Sequence, residues 1–102
     1  MLTQDVLKSL LHYNPETGLF HWIIPHGLAK RKVTAGWKRK DGYLGIVVLR
    51  KAYLLHRLAW FYVYGYFPKY LDHINRVKSD NSLNNLRVAS HSQNMHSGNR
   101  QR

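Results

Sequence analysis

The stretch from Tyr70 to Asn94 constrains this chain more than any other, because it admits one order of local elements. Tyr70 to Ile74 reads as a short strand, and Asn75 to Asn85 is a long polar stretch in which no apolar face can form. Leu86-Arg87-Val88-Ala89 is a second short strand. Ser90-His91-Ser92-Gln93 matches a capping box, in which the first Ser and the Gln three residues on satisfy each other's free backbone donors. A helix therefore starts at Ser90 and carries Asn94 in its opening turns. The order is strand, long loop, strand, helix.

The preceding residues give shorter signals. Thr3 caps a first helix whose apolar residues Val6, Leu7, Leu10 and Leu11 share one face. Asn14 to Gly18 is a turn, followed by a short strand from Leu19 to Ile24. Pro25 to Gly36 is a basic loop. Asp41-Gly42 marks a hairpin between Trp37 and the run Tyr43 to Leu49, and a turn near Arg50-Lys51 leads back through Tyr53 to Leu55. Leu58 to Tyr64 is a buried helix ended by Gly65 and Pro68. At 102 residues the chain holds one small domain. Its expected class is α+β, with a helix-and-hairpin N-terminal portion over 1–42 and a C-terminal region over 43–102.

Charge narrows the choice of partner. Sixteen Lys and Arg against five Asp and Glu leave a net +11, which draws polyanions toward the surface. An anionic membrane would require a long apolar span or a basic amphipathic helix; the apolar run Ala52 to Phe67 is broken by His56, Arg57 and Gly65. Nucleic acid is the partner that remains. No basic start followed by an apolar run marks a signal peptide, and the absence of Cys removes disulfides and thiolate zinc sites. An intracellular protein is expected.

Asp72-His73 places a carboxylate beside an imidazole at a strand end, and Asn94 adds an amide oxygen from the following helix. Such a sparse, hard, oxygen-only donor set suits Mg²⁺, with Mn²⁺ as a substitute, and suits Zn²⁺ poorly. Imidazole titrates near neutrality in its free form, which makes His73 the natural base. Adjacent residues on a regular strand face opposite ways, so the strand is expected to end or bulge at this pair, with broken β geometry there.

Asp72-His73-Ile74-Asn75, Asn84-Asn85-Leu86-Arg87 and Ser92-Gln93-Asn94, in this order, resemble the HNH nucleases of phages and mobile introns, members of the ββα-metal or His-Me finger superfamily. His56-Arg57-Leu58-Ala59-Trp60 is similar to the helix that precedes the motif there, and the match runs from about Tyr43 to Asn94. The resemblance implies a ββα-metal motif at about 70–98 and a phage-encoded enzyme working in a bacterial cytoplasm. It implies hydrolysis of DNA phosphodiesters to a 5′-phosphate and a 3′-hydroxyl. His73 takes the place of the general base and Asp72 and Asn94 those of metal ligands; Asn85 braces the loop and so orients His73. Asn stands at 94 where many relatives have His, as in the His-Asn-Asn subgroup of intron homing enzymes, several of which nick one strand.

Other residues have competing readings. Lys30, Arg31, Lys32, Lys38, Arg39 and Lys40 are expected on phosphates, as are Arg57, Arg76, Lys78 and Arg87; the plainer reading is solvated loop charge. His56 caps or packs the central helix. His91 and His96 flank Asn94 and are not expected to replace it. Trp22, Trp37 and Trp60 pack in the core or on a hairpin. A binding module of the same fold without catalysis is the rival from another class, and an RNA-directed nuclease is a third. No small-molecule cofactor is expected, and a monomer is favoured slightly over paired sites. Target sequence, and whether a DNA-binding segment follows Arg102 in a longer protein, stay open.

Overall fold

The structure, a computed structural model, describes residues 2–23 and 34–89. The first helix, α1, spans Gln4–Leu10, and its N-cap Thr3 accepts a hydrogen bond from the Val6 amide, as Thr at this position can when the backbone is extended. Only Leu7 of the helix is buried, Val6 is exposed, and the helix stops at Leu10, short of its apolar pattern. Leu11 belongs instead to a strand, β1 (Leu11–Tyr13), which pairs antiparallel with β2 (Phe20–Trp22) across the Asn14–Gly18 turn. Asn14 Oδ1 accepts from the Glu16 amide and closes that turn as an Asx turn.

Three further strands form a meander: β3 (Trp37–Lys38), β4 (Leu44–Val48) and β5 (Lys51–Leu54). The Asp41-Gly42 turn stands between β3 and β4, with Gly42 at φ 91°. The β4–β5 turn places Leu49 and Arg50 at φ 51° and 68°, the left-handed pair that a two-residue hairpin of this twist demands even without Gly. Chain then passes directly into α2 (Leu55–Tyr64), longer at its start than the apolar run suggests, and ends on Gly65 in the left-handed conformation with its amide bonded to the Phe61 carbonyl.

Last come β6 (Leu71–His73) and β7 (Leu86–Val88), an antiparallel pair joined by a loop whose final residues, Leu83–Asn85, form a 3-10 turn. The expected helix from Ser90 lies outside the described residues. The described residues are thus α+β with three small sheets. One apolar cluster joins them: Leu7 of α1 and Leu11 and Phe20 of the N-terminal hairpin meet Ile46, Leu55 and Leu58, with Leu86 of β7 in the same cluster. Among the described residues no helix is long and apolar enough to cross a membrane.

The N-terminal hairpin touches the β6–β7 loop through backbone. Gly18, at φ 78°, lies against the peptide joining Asn81 to Ser82, and an added Cβ would run into the Asn81 carbonyl carbon and the Ser82 amide nitrogen. Backbone cannot yield as a side chain can. Gly18→Ala is expected to lower stability by about 2–3 kcal/mol, read from denaturant unfolding, through both strain and collision. A variant as stable as the wild type would mean that the hairpin does not pack on the loop.

Candidate active site

His73 is the last residue of β6 and is 5% exposed. The ladder runs regularly through this pair, Asp72 opposite Arg87 and His73 opposite Leu86, and then stops. The strand thus ends at this pair, as expected, while the expectation of broken β geometry within it is corrected: pairing is regular through His73, with no bulge. The alternation of a regular strand is kept, and it separates the two side chains into different surroundings. Asp72 is partly exposed, and its Oδ2 lies 3.3 Å from the Arg87 guanidinium. His73 points into the fold.

Its surroundings are aromatic on one side and amide on the other. The His56 ring lies 4.6 Å from the His73 ring, and Tyr43 stacks on His56 at 5.3 Å, with its centroid 5.9 Å from His73. His56 is buried, while the N-cap of α2 is Leu54, without a side-chain cap. It packs rather than caps. Burial, with the His73 and Arg57 charges adding to it, pulls the pKa of His56 down to about 3. On the other side, Asn81, 1% exposed, brings its Oδ1 to 2.7 Å from His73 Nε2. An amide oxygen only accepts, so with the amide in this orientation Nε2 of the neutral ring carries the hydrogen and the lone pair sits on Nδ1.

The polar loop is tied by its own side chains. Asn85 Oδ1 accepts from the Asn75 amide, and Asn85 Nδ2 donates to the Asp80 carbonyl. The Asp80 carboxylate accepts from the Ser82 hydroxyl and amide and from Asn75 Nδ2, which hold its pKa below the ordinary range. Asn85 thus spans the loop, and the contact with His73 comes from Asn81. Sequence reasoning passed over Asn81, whose one signal was its place among several Asn in the polar stretch.

The cations fall into two groups. Lys38, Arg39 and Lys40 are exposed beside the β3–β4 turn, and Lys78 reaches across to it, donating to the Asp41 carbonyl at 2.9 Å with its ammonium 4.8 Å from the Tyr43 ring centroid. Arg39 pairs with Asp41 at 3.1 Å. This basic turn is therefore on the His56–His73 side of the molecule. Arg76, exposed at φ 66°, lies in the turn after β6. Arg57 is engaged elsewhere: it donates to the Pro68 carbonyl and lies over Phe67. Trp37 is half-exposed on its hairpin, whereas Trp22 and Trp60 pack against the core. Lys30, Arg31, Lys32, His91, Asn94 and His96 lie outside the described residues.

For a metal ion, the described residues contain no group of three His, Asp or Glu. Adjacent to His73 in the chain they offer one carboxylate, Asp72, while the Asp80 carboxylate is engaged by Ser82 and Asn75. A single partly exposed carboxylate fits a hard cation that retains most of its waters, and does not fit a closed, protein-filled coordination shell.

Residues 53–96 match the family described as HNH endonuclease. Among solved structures, one reported as DNA binding and cleavage by the HNH homing endonuclease I-HmuI is similar, with a TM-score of 0.63 and 25% identity. The likeness takes in 86% of this chain and 51% of that one, so this chain spans about half the length of that protein. No curated protein matches.

Proposed function

We propose, from the match of residues 53–96 to the HNH endonuclease family, that this chain hydrolyses phosphodiester bonds of double-stranded DNA with His73 as the base. The observation that carries this reading is the Asn81–His73 hydrogen bond, which leaves a basic lone pair on a ring that packing holds in place. General-base catalysis needs both properties, a correct protonation state and a fixed position.

In the proposed step His73 Nδ1 takes a proton from a water molecule. The water oxygen forms a bond to phosphorus, in line with the bond to the 3′ oxygen, which breaks. The 3′ oxygen then gains a proton from solvent, leaving a 3′-hydroxyl and a 5′-phosphate. Asp72, joined by Asn94, would hold Mg²⁺, or Mn²⁺ in its place, and such a cation stabilises charge on the phosphoryl and leaving oxygens. Arg87, half-exposed and paired with Asp72 at its Oδ2, would contact a backbone phosphate.

Lys38, Arg39, Lys40, Arg76 and Lys78 contact phosphates around the cut, with Lys30, Arg31 and Lys32 and, more remotely, Arg57 adding to the positive field. Within one domain, β6 and β7 would be the two strands of a ββα-metal motif, whose remaining residues lie outside the described ones. One His73 site cuts one strand per encounter, so a monomer nicks.

The test is cleavage of an end-labelled duplex in Mg²⁺ or in EDTA. Products expected in Mg²⁺ alone carry ligatable 5′-phosphate ends. Metal-independent cleavage, or products with 3′-phosphates, would contradict the reading. DNA binding without cleavage would favour a binding module of the same fold, and preferential cleavage of a matched RNA duplex an RNA-directed enzyme.

A further inference from the structure

We infer that the N-terminal hairpin, acting through Asn81, is the device that fixes the ring orientation and tautomer of His73. The inference rests on the role proposed for His73, but its first test does not require cleavage.

Asn81 is held from the hairpin side at three consecutive points. The Tyr13 hydroxyl donates to the Asn81 carbonyl at 2.6 Å, in a buried contact. Gly18 lies directly against the Asn81–Ser82 peptide, where nothing larger fits. The Leu83 amide donates to the Pro15 carbonyl at 2.8 Å. None of Tyr13, Pro15 and Gly18 lies within the family match at 53–96, so these contacts come from a part of the chain that the shared motif does not include.

Tyr13 is built to donate. It is 3% exposed and packed against Phe20 and Tyr62, with ring centroids 4.8 and 5.6 Å away. Burial, with the Asp80 carboxylate and Tyr64 adding to it, raises the pKa of its hydroxyl, so the proton stays on oxygen. With its backbone pinned, Asn81 has little freedom to turn its side chain away from His73. Asn81 Nδ2, in contrast, is buried without a hydrogen-bond partner. A buried amide nitrogen left unsatisfied is costly, and it marks a side chain placed for what its oxygen does.

The alternative orientation has a distinct chemical consequence. If the Asn81 amide were reversed, Nδ2 would donate to His73 Nε2, and the ring hydrogen would sit on Nδ1, where it blocks the lone pair needed for proton abstraction. The hairpin would then hold an inactive base. Orientation and tautomer are one question.

The first experiment is ¹⁵N NMR of the ring nitrogens of His73 in the metal-free full chain at mildly alkaline pH, where imidazole is neutral. Hydrogen on Nε2 is expected. Hydrogen on Nδ1, or an averaged pair of signals, would overturn the inference whether or not the protein cuts DNA. The second compares Tyr13→Phe, Asn81→Leu and Asn81→Asp in single-turnover cleavage beside DNA affinity. Tyr13→Phe is expected to slow cutting about tenfold and to move the His73 signals toward the averaged pair, and Asn81→Leu to slow it about 10²-fold, with affinity unchanged in both. Asn81→Asp keeps an accepting oxygen and is expected to retain most of the rate. A Tyr13→Phe protein with unaltered His73 signals and rate would remove the hairpin from the account. An Asn81→Asp protein as slow as Asn81→Leu would remove Asn81. A wild-type chain that does not cut, yet shows hydrogen on Nε2, contradicts the proposed function and leaves the positioning intact.

Discussion

His73→Ala is expected to reduce DNA cleavage by about 10²–10⁴-fold while leaving DNA affinity within a few-fold of the wild type. The size follows from what is lost: a base held within reach of the attacking water, whose absence leaves bulk water to accept the proton. Affinity is spared because the cations proposed to meet phosphates lie on other residues, Lys38, Arg39, Lys40, Arg76 and Lys78 among them. His73 is also buried against His56 and Asn81, so truncation opens a small cavity and strands the Asn81 oxygen. A loss of stability of about 1–3 kcal/mol should accompany the change, and folding should be checked by its unfolding transition. Single-turnover cleavage at the wild-type rate in a folded variant would show that His73 is not the base.

Acidification is expected to destabilise the protein through His56. This side chain is neutral in the folded protein, where its pKa is about 3, and titrates near the ordinary 6.5 when unfolded. Between these values the unfolded chain binds the proton and the folded chain does not. Stability is therefore complete above about pH 6.5 and falls as pH decreases toward 3. From pH 7 to pH 4 the loss is about 3 kcal/mol, at 1.36 kcal/mol for each pH unit below 6.5. His73, Tyr43 and Arg57 are the titratable or charged groups beside it, and Lys78 lies over the Tyr43 ring. Denaturant unfolding at the two pH values measures the drop, and His56→Phe, which keeps a stacking ring but cannot be protonated, should flatten it. An equal drop in both proteins would assign acid sensitivity to the carboxylates instead.

The strand–loop–strand order of the β6–β7 unit was legible because each boundary had a local chemical cause. Polar residues from Asn75 to Asn85 cannot bury a face, and Leu86 to Ala89 can. The same holds for the Asp41-Gly42 turn and for Gly65 at the end of α2. Strand β1 was not legible: Leu11 continues the apolar spacing of α1, and only pairing with Phe20–Trp22, seven or more residues on, decides against helix. Asn81 was hidden for a related reason. In sequence it is one Asn in a loop rich in them, and its meaning depends on Tyr13, Pro15 and Gly18, more than 60 residues away, which bring its oxygen to His73. Arg57 shows the reverse case. Its charge suggested phosphate, and its position on α2 turned the guanidinium to the Pro68 carbonyl.

Supercoiled plasmid incubated with the full chain in Mg²⁺, with EDTA as the control and a filter-binding measurement on the same DNA, tests the central claim most directly. Conversion to nicked circles in Mg²⁺, none in EDTA, and linear product only after nicked circles have built up are expected of a single His73 site. Tight binding with the plasmid still supercoiled after long incubation in Mg²⁺ would contradict the account and make this chain a binding module.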